Sequence, residues 1–203
     1  MIAILTADII NSRKLPSKKW IESLKIILNT FGKTPHDWEI YRGDEFQLEI
    51  KNPEDALFMA FQLKAFFKSI NLDLRMSFGF GDKTYKAKKI TESNGTAFIR
   101  SGETFETLKK QKLNLALNSG NLLFDEELNL ILKLSLSFMD NWLKQAAEFV
   151  LIAIQNPTLS QEEIGVKLGI NQAAVSRRQK RSNYELLLQV DKHFREKIKT
   201  LEL

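Results

Sequence analysis

Residues Ile2–Ile10 are apolar at every position but Thr6 and Asp8, and a run this short and this apolar reads as a buried strand. A carboxylate near the end of such a strand needs a physical reason to be there. A second acidic pair, Asp44-Glu45, lies between WEIY and FQLEI, beside Gly43, which suits a hairpin turn. If these strands are neighbours, the carboxylates converge on one patch, and converged carboxylates repel unless a positive charge lies between them. Hard oxygen donors of this kind suit Mg²⁺ or Mn²⁺, and such ions commonly hold nucleotide phosphates. The simpler reading is that Asp8 caps a turn and Gly43-Asp44 is only a hairpin corner.

The surrounding pattern predicts a helix over 17–31, with Trp20, Leu24, Ile27, Leu28 and Phe31 on one stripe and Gly32 as its stop. Strands follow over 38–42 and 45–51. Asn52-Pro53-Glu54 opens a second helix, with Ala56, Leu57, Ala60, Phe61, Leu63, Lys64 and Phe67 along it, and 72–79 reads as a strand. Strand, helix, two strands, helix, strand is the ferredoxin-like order. Residues 81–95, with Lys83, Lys86, Lys88 and Lys89, read as a solvated ribbon or loop. A helix over 96–110 and an alternating strand over 113–117 complete a domain spanning 1–120, with the border at Ser119-Gly120-Asn121.

Residues 121–203 read as wholly helical. Helices are expected over 125–141 and 143–155, and Asn156-Pro157 breaks the second. Ser160 with Glu163 forms a capping-box signature for a short helix that Gly169 stops, and Asn171 caps the next. Short helix, Gly-containing turn and second helix make the helix-turn-helix pattern. Ala174 and Val175 can pack inward, leaving Gln172, Ala173, Ser176, Arg177 and Lys180 to face a DNA major groove. Arg177, Arg178, Lys180 and Arg181 lie between Asn171 and Ser182 with no acid among them, which is a phosphate footprint. The bland account is a packing module with a wet basic face. From Tyr184 onward, the stripe Leu187, Val190, Asp191, Phe194, Ile198 and Leu201 can fold back on the preceding helices. It can equally pair with its copy in a homodimer suited to two DNA half-sites.

Composition sets the outer limits. The 203 residues carry a net charge of +5, 43% hydrophobic residues and no Cys, so a disulfide framework or a thiolate metal site is excluded. No run approaches the ~20 apolar residues of a membrane span, and no signal-peptide pattern is present, so a cytoplasmic protein is expected.

Strand with Asp8, helix, strand, Gly43-Asp44-Glu45-Phe46 turn and strand resemble the catalytic core of nucleotidyl cyclases. Asp8-Ile9-Ile10-Asn11-Ser12-Arg13, Gly43-Asp44-Glu45-Phe46-Gln47 and the C-terminal helix pair resemble, more narrowly, the SatD-like family. The resemblance implies Asp8 and Asp44 as ligands of Mg²⁺ or Mn²⁺. It further implies Asn11, Ser12, Arg42 and Gly43 at the nucleotide, and Glu45 and Arg100 as catalytic groups. Two departures matter. The stretch Gly95–Gly102 lacks the Asn-x-x-x-Arg that in cyclases meets the charge developing on phosphate, leaving Arg100 as its only cation. Arg42 stands where diguanylate cyclases have the first Gly of their turn. The expectation is therefore an α+β protein: a cyclase-like ferredoxin-fold domain that binds a nucleotide with metal, joined to a DNA-binding helical domain that regulates transcription. An active cyclase or polymerase-like enzyme dimerised by its C-terminal helices is the alternative, and a degenerate cyclase fold serving as a protein-interaction platform is a third.

Overall fold

A computed structural model describes residues 1–201. Among them are five strands in one mixed sheet and eight α-helices, so the α+β class is observed. No helix among the described residues is long and apolar enough to cross a membrane.

The apolar run becomes the central strand β1 (Ile2–Ile10), covered on both faces. Ala3, Leu5, Ala7 and Ile9 point into the main core, while Ile4 packs with Ile90, Ala97 and Phe98 on the other side. This double burial explains why the run alternates so weakly in hydrophobicity. On one side of β1 lies antiparallel β3 (Glu45–Ile50), with β2 (Trp38–Tyr41) outside it. On the other side lies antiparallel β4 (Asp73–Gly81), with β5 (Leu115–Asn118) parallel at the edge. The strand order is β2-β3-β1-β4-β5.

One face of the sheet is covered by α3 (Thr96–Gln111), which approaches β4 closely. A Cβ at Gly79 would collide with the Ala97 carbonyl and the Ser101 amide, so only glycine admits the helix here. Hydroxyls fill the remaining space: Ser101 Oγ donates to Thr6 Oγ1 at 2.8 Å, and Ser77 Oγ donates to the Ser101 carbonyl at 2.9 Å.

The opposite face meets α1 (Ile21–Asn29) and α2 (Ala56–Ser69). The expected helix over 17–31 starts late, because Ser17–Lys19 takes a separate 3₁₀ turn. Nearly every residue of α2 is buried, since the sheet lies on one side and α5 (Lys144–Gln155) on the other. Lys64 is 0% exposed, with its ammonium held by Asp73 at 2.6 Å and also by Asp140.

The rest of the helical segment comprises α4 (Leu122–Met139), α6 (Gln161–Leu168), α7 (Gln172–Ser182) and α8 (Tyr184–Ile198). The border at Ser119–Asn121 coincides with the start of α4, where the Asn121 side chain accepts from the Phe124 amide. The hydrophobic core does not stop there. A single cluster runs from Ala3 in β1 to Ile198 in α8, and the Phe80 and Phe194 rings lie 5.9 Å apart. The sequence therefore has two segments but one interior. The stripe of α8 is used inside the chain: Leu187, Phe194 and Ile198 are buried, so self-pairing through that face is overturned.

Candidate functional site

The β2–β3 turn holds the carboxylates against β1. Arg42 and Gly43 both take left-handed backbone, with φ of 51° and 88°, and the Ile9 amide donates to the Asp44 carbonyl at 3.1 Å. In the resulting register Asp8 lies directly opposite Glu45 on one side and Arg75 on the other. Directly opposed residues share a face of the sheet, so these three side chains meet beside the end of α3.

Each carboxylate is answered by the chain. Asp8 Oδ2 accepts from Arg75 Nη1 at 3.1 Å, while its Oδ1 is buried with no hydrogen-bond partner among the described residues. Glu45 lies 3.4 Å from Lys109 Nζ on α3 and 3.8 Å from the exposed Arg42. Asp44 Oδ2 accepts from Ser12 Oγ at 2.7 Å. Burial pushes the Asp8 carboxyl above its usual range; Arg75 and Lys109 oppose this, and the Glu45 and Asp44 charges add to it. Tyr41 is pushed up to about 12 by burial and by the Glu45 charge.

Beside Asp44 is a 440 Å³ depression lined by Ile9, Asn11, Ser12, Arg13, Lys14 and Asp44. A neighbouring 330 Å³ hollow shares Ser12, Arg13 and Asp44 and adds Trp20, Arg42 and Gly43 among its lining. Asn11, Ser12, Arg42, Gly43 and Asp44 are thus brought to one mouth. Trp20, expected only as part of a helix stripe, lines it with a buried Nε1 that has no partner among the described residues.

Arg100 does not join them. Its Nη1 donates to the Phe80 carbonyl, and it packs against Gly81 and Gly120 at the far end of β4. Phe80 is five residues along β4 from Arg75, which is about 17 Å of strand. The expected catalytic placement of Arg100 is corrected, because α3 runs along the sheet and presents Lys109, not Arg100, to the carboxylates. Arg75 and Lys109 were missed. Arg75 had one usable signal, being the lone cation in the apolar alternation of β4, but its partner follows only from strand register.

The donor set bears on a metal. Among the described residues no group of three or more His, Cys, Asp or Glu side chains converges in a metal-holding arrangement. The orphaned Asp8 Oδ1 is a buried oxygen that a cation would satisfy, but Asp8 lines neither depression, and Asp44 is the carboxylate at the mouth.

The second candidate surface is α7. Ser160 and Glu163 form a complete capping box at α6, Gly169 ends that helix at φ 64°, and Asn171 Oδ1 accepts from the Ala174 amide to start α7. A Cβ on Gly165 of α6 would press on the Ile170 carbonyl, so glycine sets how closely α6 and the following turn approach. Val175 is buried, while Gln172, Ala173, Arg177, Lys180 and Arg181 are exposed and Ser176 is partly so. Arg178 turns away from this face to α5, with Nη1 3.2 Å from Glu148, and is removed from the expected contact set. Among the described residues Arg177, Lys180 and Arg181 make no ion pair. Trp142 Nε1 donates to the Ser182 carbonyl at 2.9 Å, tying the end of α7 to the α4–α5 turn.

No protein-family model, curated protein or solved structure matches this chain.

Proposed function

We propose that the chain is a DNA-binding regulator whose N-terminal part takes a nucleotide with a divalent metal. The observation that carries the reading is α7: a capped helix after a tight turn, with Arg177, Lys180 and Arg181 exposed and, among the described residues, unpaired, and with no acid along its length. Such a surface suits phosphate contact, and Gln172, Ala173 and Ser176 at its start suit base edges. The packing of α6 against α7 supports a helix-turn-helix. The order β1-α1-β2-β3-α2-β4, with strands arranged β2-β3-β1-β4, supports a ferredoxin-like sheet.

For the nucleotide, support comes from the mouth formed by Asn11, Ser12, Arg13, Lys14, Arg42 and Asp44. Cations and a hydroxyl there suit phosphate. Mg²⁺ or Mn²⁺ held by Asp8 and Asp44 would supply charge neutralisation for phosphate oxygens. Within the chain, Ser12 orients Asp44, Arg75 orients Asp8, and Lys109 holds Glu45.

The test is DNA from the protein's own promoter titrated at several salt concentrations, with and without nucleoside triphosphates and Mg²⁺. Arg177→Ala, Lys180→Ala and Arg181→Ala should each weaken binding, and a lost phosphate contact should lower the salt slope by about 0.9. Arg178→Ala should leave the slope unchanged. No affinity at low salt under any condition removes the regulator reading. Turnover of a triphosphate in the same panel would favour the cyclase-like enzyme instead, a reading whose one support is the unpartnered Asp8 oxygen.

A further inference from the structure

The outward face of α4 carries the densest exposed apolar surface on any one helix of the described chain. Leu123, Leu130 and Leu134 are 77%, 60% and 63% exposed. At 100° per residue they fall within about 40° of one another, so they form one continuous stripe instead of scattered surface positions. Isolated exposed leucines need no explanation; an aligned row on a single helix does.

Charge says what covers it. On one flank of the stripe lie Glu126 and Lys133, both exposed and, among the described residues, neither in an ion pair. They lie four residues before and three residues after Leu130. We infer that a second copy of this chain docks on α4, the two helices antiparallel and crossing at Leu130. A two-fold axis there returns the same flank to itself with the direction reversed. Glu126 then meets the partner's Lys133, Lys133 meets the partner's Glu126, and Leu123 lies between the partner's Leu134 and Ser137. A parallel pair would instead turn that flank toward the partner's opposite flank, away from the partner's Lys133. The opposite flank is already satisfied inside the chain, where Glu127 binds His193 at 2.9 Å and Lys197 at 2.8 Å. With the α8 stripe buried within the chain, α4 is the helix face left open for an isologous contact. The inference rests on this surface and stands whether or not the regulator reading holds.

Sedimentation equilibrium of the full chain across micromolar concentrations tests it, with circular dichroism as the check on folding. The parent should associate to a dimer. Leu130→Asp should leave a folded monomer. Glu126→Lys and Lys133→Glu should each weaken the dimer about tenfold, because each places like charges opposite one another. The double exchange Glu126→Lys with Lys133→Glu should restore most of the parent affinity, since it rebuilds both pairs with reversed sign. A monomeric parent overturns the inference. So does a dimer that neither single charge reversal moves, or a double exchange no tighter than the singles. DNA affinity of a folded Leu130→Asp monomer, measured separately, reports on the regulator reading alone.

Discussion

Asp8 of β1 and Arg75 of β4 lie directly opposite each other in the antiparallel register and share a 3.1 Å ion pair. The positive charge that clustered carboxylates require is therefore supplied, on one side of Asp8, by the sheet itself. The other oxygen of Asp8 is left buried and unpartnered.

This arrangement gives Asp8 a pH signature. Burial holds its carboxyl above the ordinary value, outweighing Arg75 and Lys109. A carboxyl raised by folding contributes most below its unfolded pKa, and that contribution is lost as pH rises through the folded value. Asp8→Asn should therefore gain stability relative to the parent as pH climbs through that window and level off above it. Urea midpoints at a series of pH values check this; a difference that stays flat with pH contradicts it.

Asp37 should behave in the opposite sense. Burial works against its charge, but the Lys33 amide, His36 and Lys51 all bind the carboxylate and lower it to about 2. Its contribution is present above the unfolded value of 3.8 and is lost as pH falls toward 2. Asp37→Asn should cost about 1–2 kcal/mol at neutral pH, with the deficit vanishing in acid. Thermal unfolding of both proteins across that range is the measurement.

Arg42 occupies a left-handed position, φ 51°, that glycine takes without steric cost. Its 3.8 Å contact with Glu45 is exposed and worth little. Arg42→Gly should raise stability by roughly 0.5–1 kcal/mol, the relief of a left-handed non-glycine residue less the added freedom of the unfolded chain. If nucleotide affinity drops in the same variant, the arginine is retained for the ligand. A destabilised Arg42→Gly would show that the side chain supports the hairpin in another way.

Lys64 is the buried charge that joins the two segments, reaching Asp73 at the start of β4 and Asp140 at the end of α4. Lys64→Met should cost about 1–3 kcal/mol, since it removes the shared ammonium and leaves Asp73 to Lys68 at 3.5 Å and Asp140 to Asn114 at 3.2 Å. Adding Asp140→Asn should recover part of that loss. A Lys64→Met protein as stable as the parent in guanidinium would refute the role.

Features fixed by local chemistry were legible in the sequence: strand Ile2–Ile10, the hairpin glycine, the Ser160–Glu163 box and the Asn171 cap. What escaped depends on contacts between distant residues. Arg75 and Lys109 reach the carboxylates only through strand register and the path of α3. Arg100 points the other way for the same reason. Lys83 looked like part of a solvated ribbon and is instead buried against Glu49 at 2.6 Å. Helix α4 begins at Leu122, ahead of the expected 125, because Asn121 caps it while two exposed leucines obscure the periodicity. Lys64 sits within an apolar face, and its pattern gives no hint that two acids from other elements await it.

The Phe80–Phe194 contact has a consequence for how such a chain can change. When a protein's two ends have separate interiors, either end can be exchanged for another during evolution or in the laboratory. Here the sheet's inner face and the last helix complete each other, so neither half is an interchangeable part. A graft at Gly120 would leave Phe80 on one piece without the Phe194 ring and Phe194 on the other without Phe80. Any new partner for either half would have to arrive with a matching interior, and substitutions in the two halves must be accommodated together.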